Sequence, residues 1–387
     1  MTSLVSRGTV AAGFRSRGRP RLPAAAAAAT RWSCFRRPSA MGKPMCPELG
    51  EEGPQMVYVV VPVYNMEPYL ERCVDSVLNQ TLREIRVVLV DDGSRDGSGA
   101  LCDRYAAACP GRVWTVHQPN GGLSAARNAG LARCFALSQD PARDYVLLLD
   151  ADDFIRPDFL AYALSVCEKE NCDGVQVDWV RGTGSRFPPE TRDPGPVRIL
   201  TGAGALLDPA VKTTFCTKLY RLELYRGESF PLRKMNEDEF LFYRLLWKCR
   251  RFGVSRAKMY YYFQRPGSIM DTVARGLKDN PRRRDWREAF GERISFFTAL
   301  GEKRQVQRCY ERICIELMLR YAEQMNLPRD RRAAEAADGT MVREYRAFYP
   351  KMIGLDTIRP LRKLLFTLFY LCPMGAVLAA RIHPLRR

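Results

Sequence analysis

Five aliphatic runs, at 57–61, 85–90, 113–117, 145–149 and 174–180, begin about 28–32 residues apart. That interval fits one strand, a crossover helix and the next strand. The stretches between them have helical periodicity: in 69–78, Leu70, Cys73, Val74, Val77 and Leu78 fall on one face. Residues 101–109, 123–137 and 158–170 behave alike. The runs are too continuously apolar for a sheet with one wet face, so helices must cover both faces. The pattern predicts a doubly wound, mainly parallel α/β sheet with right-handed crossovers. In such sheets ligands bind just beyond the carboxyl ends of the strands, and the chemistry should be sought there.

Net charge is the feature most at odds with that picture. The 387 residues carry +18, a value that invites a nucleic-acid partner. Nine of the basic residues lie in 1–45, which has no Asp or Glu, and seven more lie in 351–387 against Asp356 alone. Residues 46–350 are close to neutral, so no nucleic-acid footprint is expected on the folded part. The 13 cysteines contain no C-x-x-C pair and only two histidines accompany them. This excludes the usual zinc patterns and fits small apolar side chains in a reducing cytoplasm. Residues 1–54, rich in Arg, Ala, Pro and Ser, read as a disordered extension, with Met41, Met45 and Met56 as alternative starts.

The strand ends carry the informative residues. The first run closes on Pro62-Val63-Tyr64-Asn65, with the proline expected to end ladder pairing and the tyrosine placed to stack on a planar base. The second closes on Asp91-Asp92-Gly93-Ser94, where a carboxylate can accept from a base or ribose; an ordinary Asp/Gly turn explains it equally well. After the third come Gly121-Gly122 and a helix with Arg127 in its first turns, a setting that suits an anion. The fourth runs into Asp150-Ala151-Asp152-Asp153. Three close carboxylates repel each other unless a cation intervenes, and Mg²⁺ takes one or two carboxylates plus substrate phosphates. An aromatic ring, a carboxylate, a basic turn and a metal site along one edge suit a nucleotide diphosphate with its metal.

In this order the motifs resemble family 2 glycosyltransferases of the GT-A fold. They are Val61-Pro62-Val63-Tyr64-Asn65, Asn79-Gln80-Thr81, Val90-Asp91-Asp92-Gly93-Ser94, Gly121 to Asn128, and Asp150-Ala151-Asp152-Asp153. Cys216 to Arg221, Asn236-Glu237-Asp238-Glu239-Phe240 and Gln264 to Met270 extend the resemblance, which covers about residues 57–270. It implies a mixed, mainly parallel sheet and inverting transfer from a nucleotide-diphosphate sugar, usually a UDP-sugar. Pro62, Val63, Tyr64, Asn65, Asp91, Asp92, Arg127, Asp150, Ala151 and Arg265 would surround the donor. Tyr64 would stack on the base and Asp92 would bind its edge. Asp152 would be the direct Mn²⁺ or Mg²⁺ ligand, with Asp150 nearer the ribose and Asp153 a turn or cap residue. Asp238, paired with Glu237, would be the general base on an acceptor hydroxyl. A plain helix cap by Asn236 or Asp238 is the competing explanation. Arg265 would close over the diphosphate; Lys218 would do the same or face solvent.

The chain is expected to divide into the extension (1–54), a catalytic domain (55–275) that the resemblance covers to about residue 270, accessory helices (276–350) and a basic, hydrophobic end (351–387). Within that end, 364–380 lacks charge and is flanked by Arg362, Lys363 and Arg381. It is short for a membrane span; a buried core helix would explain it, while the basic flanks favour a helix lying on an anionic inner membrane face. The expected acceptor is a glycan or lipid-linked hydroxyl of a surface polysaccharide or glycolipid, receiving one sugar per encounter. No G-x-x-x-x-G-K-[ST] motif precedes the acidic strand, which disfavours a P-loop enzyme. A non-catalytic scaffold that binds nucleotide sugars is the alternative.

Overall fold

The computed structural model describes residues 55–188, 193–265, 281–326 and 340–374. The N-terminal extension lies outside them. The first half runs β1 (Val57–Val63), α1 (Glu67–Leu78), β2 (Ile85–Asp91), α2 (Ser98–Ala108), β3 (Val113–His117), α3 (Leu123–Leu137), β4 (Tyr145–Leu148), β5 (Phe154–Ile155), α4 (Phe159–Lys169) and β6 (Gly174–Gly182). Then follow β7 (Arg198–Leu200), α5 (Gly202–Leu207), β8 (Lys218–Arg221), α6 (Glu237–Lys248) and β9 (Phe252–Phe263). Four further helices are described: α7 (Pro281–Ala299), α8 (Lys303–Met325), α9 (Thr340–Met352) and α10 (Pro360–Leu371).

The strand order is β3-β2-β1-β4-β8-β6-β9-β5, with β7 on β9. β1 pairs in parallel with β2 and β4, and β2 with β3. β8 enters antiparallel between β4 and β6, so the sheet is mixed and mainly parallel, as expected. Along β1, Val57, Val59, Val61 and Val63 belong to a core shared with α1 and α4, whereas Tyr58 and Val60 belong to one shared with α3 and α6. Alternate residues thus bury against opposite helical layers. On the second face α3 lies very close to β1: a Cβ on Gly130 would stand 2.2 Å from Val60 Cγ1.

β1 does not stop before Pro62. It pairs with β2 as far as Val63 opposite Asp91, while its β4 side ends at Val60 opposite Leu148. The missing proline N–H falls where no neighbouring strand calls for it. β9 starts well before its aromatic stretch Tyr260–Phe263, at Phe252. Its first half alternates exposed Arg256 and Lys258 with buried residues, and it pairs with β6 through register shifts around Asp178.

Helices α7 to α10 bury Phe290, Phe297, Ile313, Leu317, Tyr345 and Phe366 in a third core that reaches Tyr243 of α6. The uncharged segment at 364–380 begins inside this core. Leu365, Phe366 and Phe369 are buried, and the Tyr345 hydroxyl donates to Phe366 O at 2.9 Å. Leu361, Leu364 and Leu371 remain exposed. No helix among the described residues is long and apolar enough to cross a membrane; residues 375–380 lie outside them.

Candidate active site

The site is assembled around one guanidinium. Arg127, in the second turn of α3, keeps only 3% of its side chain exposed. Its Nη1 donates to Glu237 Oε1 at 2.8 Å and to Asp238 Oδ1 at 2.9 Å, and its Nη2 to Asp150 Oδ1 at 3.1 Å. The Phe230 ring lies 5.3 Å from its central carbon. Phe230 is held in turn by a two-way backbone pairing with the Asn128 amide, at 2.9 and 2.8 Å. The carboxyl edge of the sheet and the start of α6 are thereby locked together.

Three carboxylates share one cation here. Burial raises the Asp238 pKa to about 7, with Glu237 and Asp150 adding to the rise and Arg127 opposing it. Burial also raises Glu237, again against Arg127. Arg127 is held protonated by Asp238, Asp150 and Glu237, which together outweigh its burial. Arg127→Met would leave these acids facing one another without a cation. Because they retain some exposure, unfolding by urea should show a loss on the order of 2 kcal/mol, the lower side for a broken buried pair.

The acidic loop splits three ways. Asp150 faces Arg127, while Asp152 Oδ2 accepts from Arg265 Nε at 2.7 Å. Asp153 turns inward to the Tyr260 hydroxyl and to Phe263 N at 2.7 Å. Its pKa is driven up by burial and by Asp150 and Asp152. The loop is therefore not a three-carboxylate cage, and no group of three or more metal-ligating side chains converges among the described residues. Arg127 engages only Oδ1 of Asp150 and Arg265 only Oδ2 of Asp152. The other oxygen of each has no cation among the described residues, and these carboxylates remain 30% and 19% exposed. That donor set fits a hard divalent ion completed by phosphate oxygens.

Several residues singled out from the sequence hold the loops at this edge of the sheet. Asp92 is buried, and its Oδ1 accepts from Gly121 N at 2.8 Å and Gln118 Nε2 at 2.7 Å, its Oδ2 from Gly122 N at 2.8 Å. It thus sets the glycine loop ahead of α3. Asp91 Oδ1 accepts from Ser94 N at 3.0 Å, and its Oδ2 lies 2.9 Å from His117 Nδ1. Arg127, expected beside the donor, has both terminal nitrogens hydrogen-bonded to carboxylates of the protein. Lys218 does not face solvent: it is buried, donates to Thr214 O, and burial lowers its pKa to about 7. Pro62, Val63 and Ala151 are buried at the strand ends, whereas Tyr64 is 40% exposed at the same edge. Asn65 adopts φ 52 and bridges to Ser94 and Arg95. Asn236 makes no helix-cap bond; its amide instead pairs with Arg282 of α7. Gln80, whose sequence context offered no role, ties α1 to Arg156 O and Leu160 N at 2.7 and 2.9 Å.

His117 joins Asp91 and Asp103, at 2.9 and 2.8 Å. The hydrogen bond to Asp103, then that to Asp91, raises its pKa. A raised histidine pKa means this bridge adds stability at low pH and loses it as pH climbs through the folded-state value. Half exposure keeps the effect small. The chain has only one other histidine, His383, so a proton NMR titration can read His117 directly. Its midpoint should lie above 6.5 and fall in Asp103→Asn.

Comparison with known proteins bears on this arrangement. The family model described as "Glycosyl transferase family 2" matches residues 58–226. "Uncharacterized glycosyltransferase EpsJ" of Bacillus subtilis is 33% identical over 189 residues, 48% of this chain and 52% of that one. "Glycosyltransferase GlyG" of Streptococcus pneumoniae is 29% identical over 261 residues, 62% of this chain and 80% of that one. The chain thus spans about half the length of the first of these relatives. Among solved structures, S. aureus TarS 1–349 in complex with UDP-GlcNAc superposes with a TM-score of 0.59 at 19% identity. The match covers 85% of this chain and 92% of TarS 1–349, and it shows a shared GT-A-type fold.

Proposed function

Residues 58–226 belong to glycosyl transferase family 2, and on that premise we propose that the chain moves one sugar, with inversion, from a nucleotide-diphosphate donor to an acceptor hydroxyl. The donor class favoured is a UDP-sugar, because the structural neighbour TarS was solved with UDP-GlcNAc. The single observation that carries the proposal is the junction of Asp150 and Asp238 through Arg127 at the carboxyl edge of the sheet.

Asp238 is the general base. A sugar hydroxyl is a poor nucleophile until a base takes its proton in the transition state, and a carboxylate with a pKa of about 7 is suited to that task. Glu237 and Arg127 position it. Asp150 and Asp152 would hold Mn²⁺ or Mg²⁺, which when bound stabilises the charge on the departing diphosphate. Arg265, paired with Asp152, stands ready to exchange that carboxylate for a phosphate oxygen. Tyr64 offers a stacking face for the base, and Asp91 and Asp92 keep the adjoining loops in place around it.

The acceptor is a glycan or a lipid-linked sugar of surface polysaccharide or glycolipid synthesis. The exposed leucines of α10 beside Arg359, Arg362 and Lys363 favour loose contact with an anionic membrane. Co-sedimentation with phosphatidylglycerol vesicles, absent with phosphatidylcholine and lost in Leu364→Glu, is the expected result.

A panel of nucleotide sugars with Mn²⁺, read by release of nucleoside diphosphate and by mass of the acceptor product, tests the activity. The alternative, a non-catalytic scaffold that binds nucleotide sugars, predicts binding without release for every donor and acceptor.

A further inference from the structure

A cavity of about 290 Å³ lies beside the first turn of α6, between the 205–214 segment and helices α7 and α8. Asp238 and Glu239 are consecutive on α6, so their side chains leave the helix about 100° apart. Asp238 meets Arg127, whereas Glu239 meets Arg293, a residue of the cavity wall.

The wall is rich in cations. Lys212, Arg293, Arg308 and Arg312 line it, against Asp208 and Glu239. Asp208 is already paired with Arg198 at 2.6 Å and Glu239 with Arg293 at 2.8 Å. Lys212 faces Asp178 at 2.5 Å, and Arg308 is paired with Glu311. Arg312 makes no ion pair among the described residues, yet it is exposed in this cluster. Like charges crowded in this way are stabilised when an anion enters among them. Thr214 Oγ1, also on the wall, is buried with no hydrogen-bond partner among the described residues.

The cavity is also joined to the proposed base. Thr214 O accepts from the buried Lys218 ammonium, and Lys218 is one of the charges acting on Asp238.

We propose that this cavity binds an anionic group of the acceptor, a phosphate or a carboxylate, with Arg312 as its anchoring cation. The acceptor role rests on the glycosyl-transfer reading; anion binding itself does not. Trp179 lines the cavity, with the Lys212 ammonium 3.6 Å from its ring centre, so it can report an arriving anion. The full-length protein is titrated at constant ionic strength with inorganic phosphate, glucuronate and neutral glucose while tryptophan fluorescence is followed. A saturable change is expected with phosphate or glucuronate, and whichever binds identifies the source of the charge. The response should be absent with glucose and absent in Trp179→Phe. Arg312→Glu should weaken it at least tenfold and Arg312→Lys should restore part of it, while UDP binding with Mn²⁺ is unchanged in both. Equal responses to glucose, no response to either anion, or a response that survives Arg312→Glu would overturn the proposal. Anion binding that follows Arg312 in a protein that binds no nucleotide would remove the acceptor role and leave an anion site unrelated to transfer.

Discussion

Asp238→Asn is expected to lower turnover by roughly 10²- to 10⁴-fold, the usual contribution of a positioned general base, while leaving donor affinity near that of the parent. Asparagine keeps the shape of the side chain and can still accept from Arg127 Nη1, which the carboxylate contacts at 2.9 Å, so the fold around α6 should survive. What it lacks is the capacity to take a proton. The pH profile provides an independent check. A base works only when deprotonated, and burial, aided by Glu237 and Asp150 against Arg127, raises the Asp238 pKa to about 7. kcat/KM should therefore climb with pH through that region and level off above it, and the limb should vanish in the variant. The stability consequence runs the other way. A carboxyl whose folded pKa is raised binds its proton more tightly in the native state, so its contribution falls as pH rises from the ordinary carboxylate range through about 7. A variant that transfers sugar at the parental rate would remove Asp238 from the chemistry.

Asp152→Asn should give the second large effect, at the other end of the reaction. Its Oδ1 has no cation among the described residues and its Oδ2 faces Arg265. Burial and Asp150 raise its pKa, with Arg265 opposing, so a second cation nearby would lower the cost of its charge. Donor binding that depends on Mn²⁺ is expected to fall by at least 10-fold, in line with the loss of a carboxylate from a hard-ion site. Binding of the bare nucleoside should change little. Calorimetric titration of UDP with Mn²⁺ and of uridine separates the two. Unaltered metal-dependent affinity in Asp152→Asn would put the ion elsewhere.

The contrast between Asp238 and Lys218 shows how far the sequence reaches. The strands at 57–63, 85–91 and 113–117 and their helices were legible because their periodicity is local and unbroken. β5 and β7, of two and three residues, are too short to show a period. The antiparallel entry of β8 between β4 and β6 is a long-range pairing that local pattern does not encode. The acids of the site could be picked out by motif. Their common partner could not, since Arg127 stands 111 residues before Asp238 and looked from its glycine loop like a group for a phosphate. Lys218 followed the same logic in reverse. A lysine within a strand ordinarily reaches solvent, but here the 214–218 turn folds its ammonium back onto Thr214 O inside the core. The hydrogen bonds by which Asp92 sets the loop of Gly121 and Gly122 were equally invisible to local pattern.

The most direct test of the account is thermal unfolding across a panel of nucleoside diphosphate sugars, each with and without Mn²⁺. A ligand that binds the native state alone raises the midpoint, through a stabilisation that grows as RT ln(1 + [L]/Kd). The account predicts a rise with UDP-sugars that requires Mn²⁺, persists in Asp238→Asn and is lost in Asp152→Asn. No shift with any nucleotide under any divalent ion would contradict it.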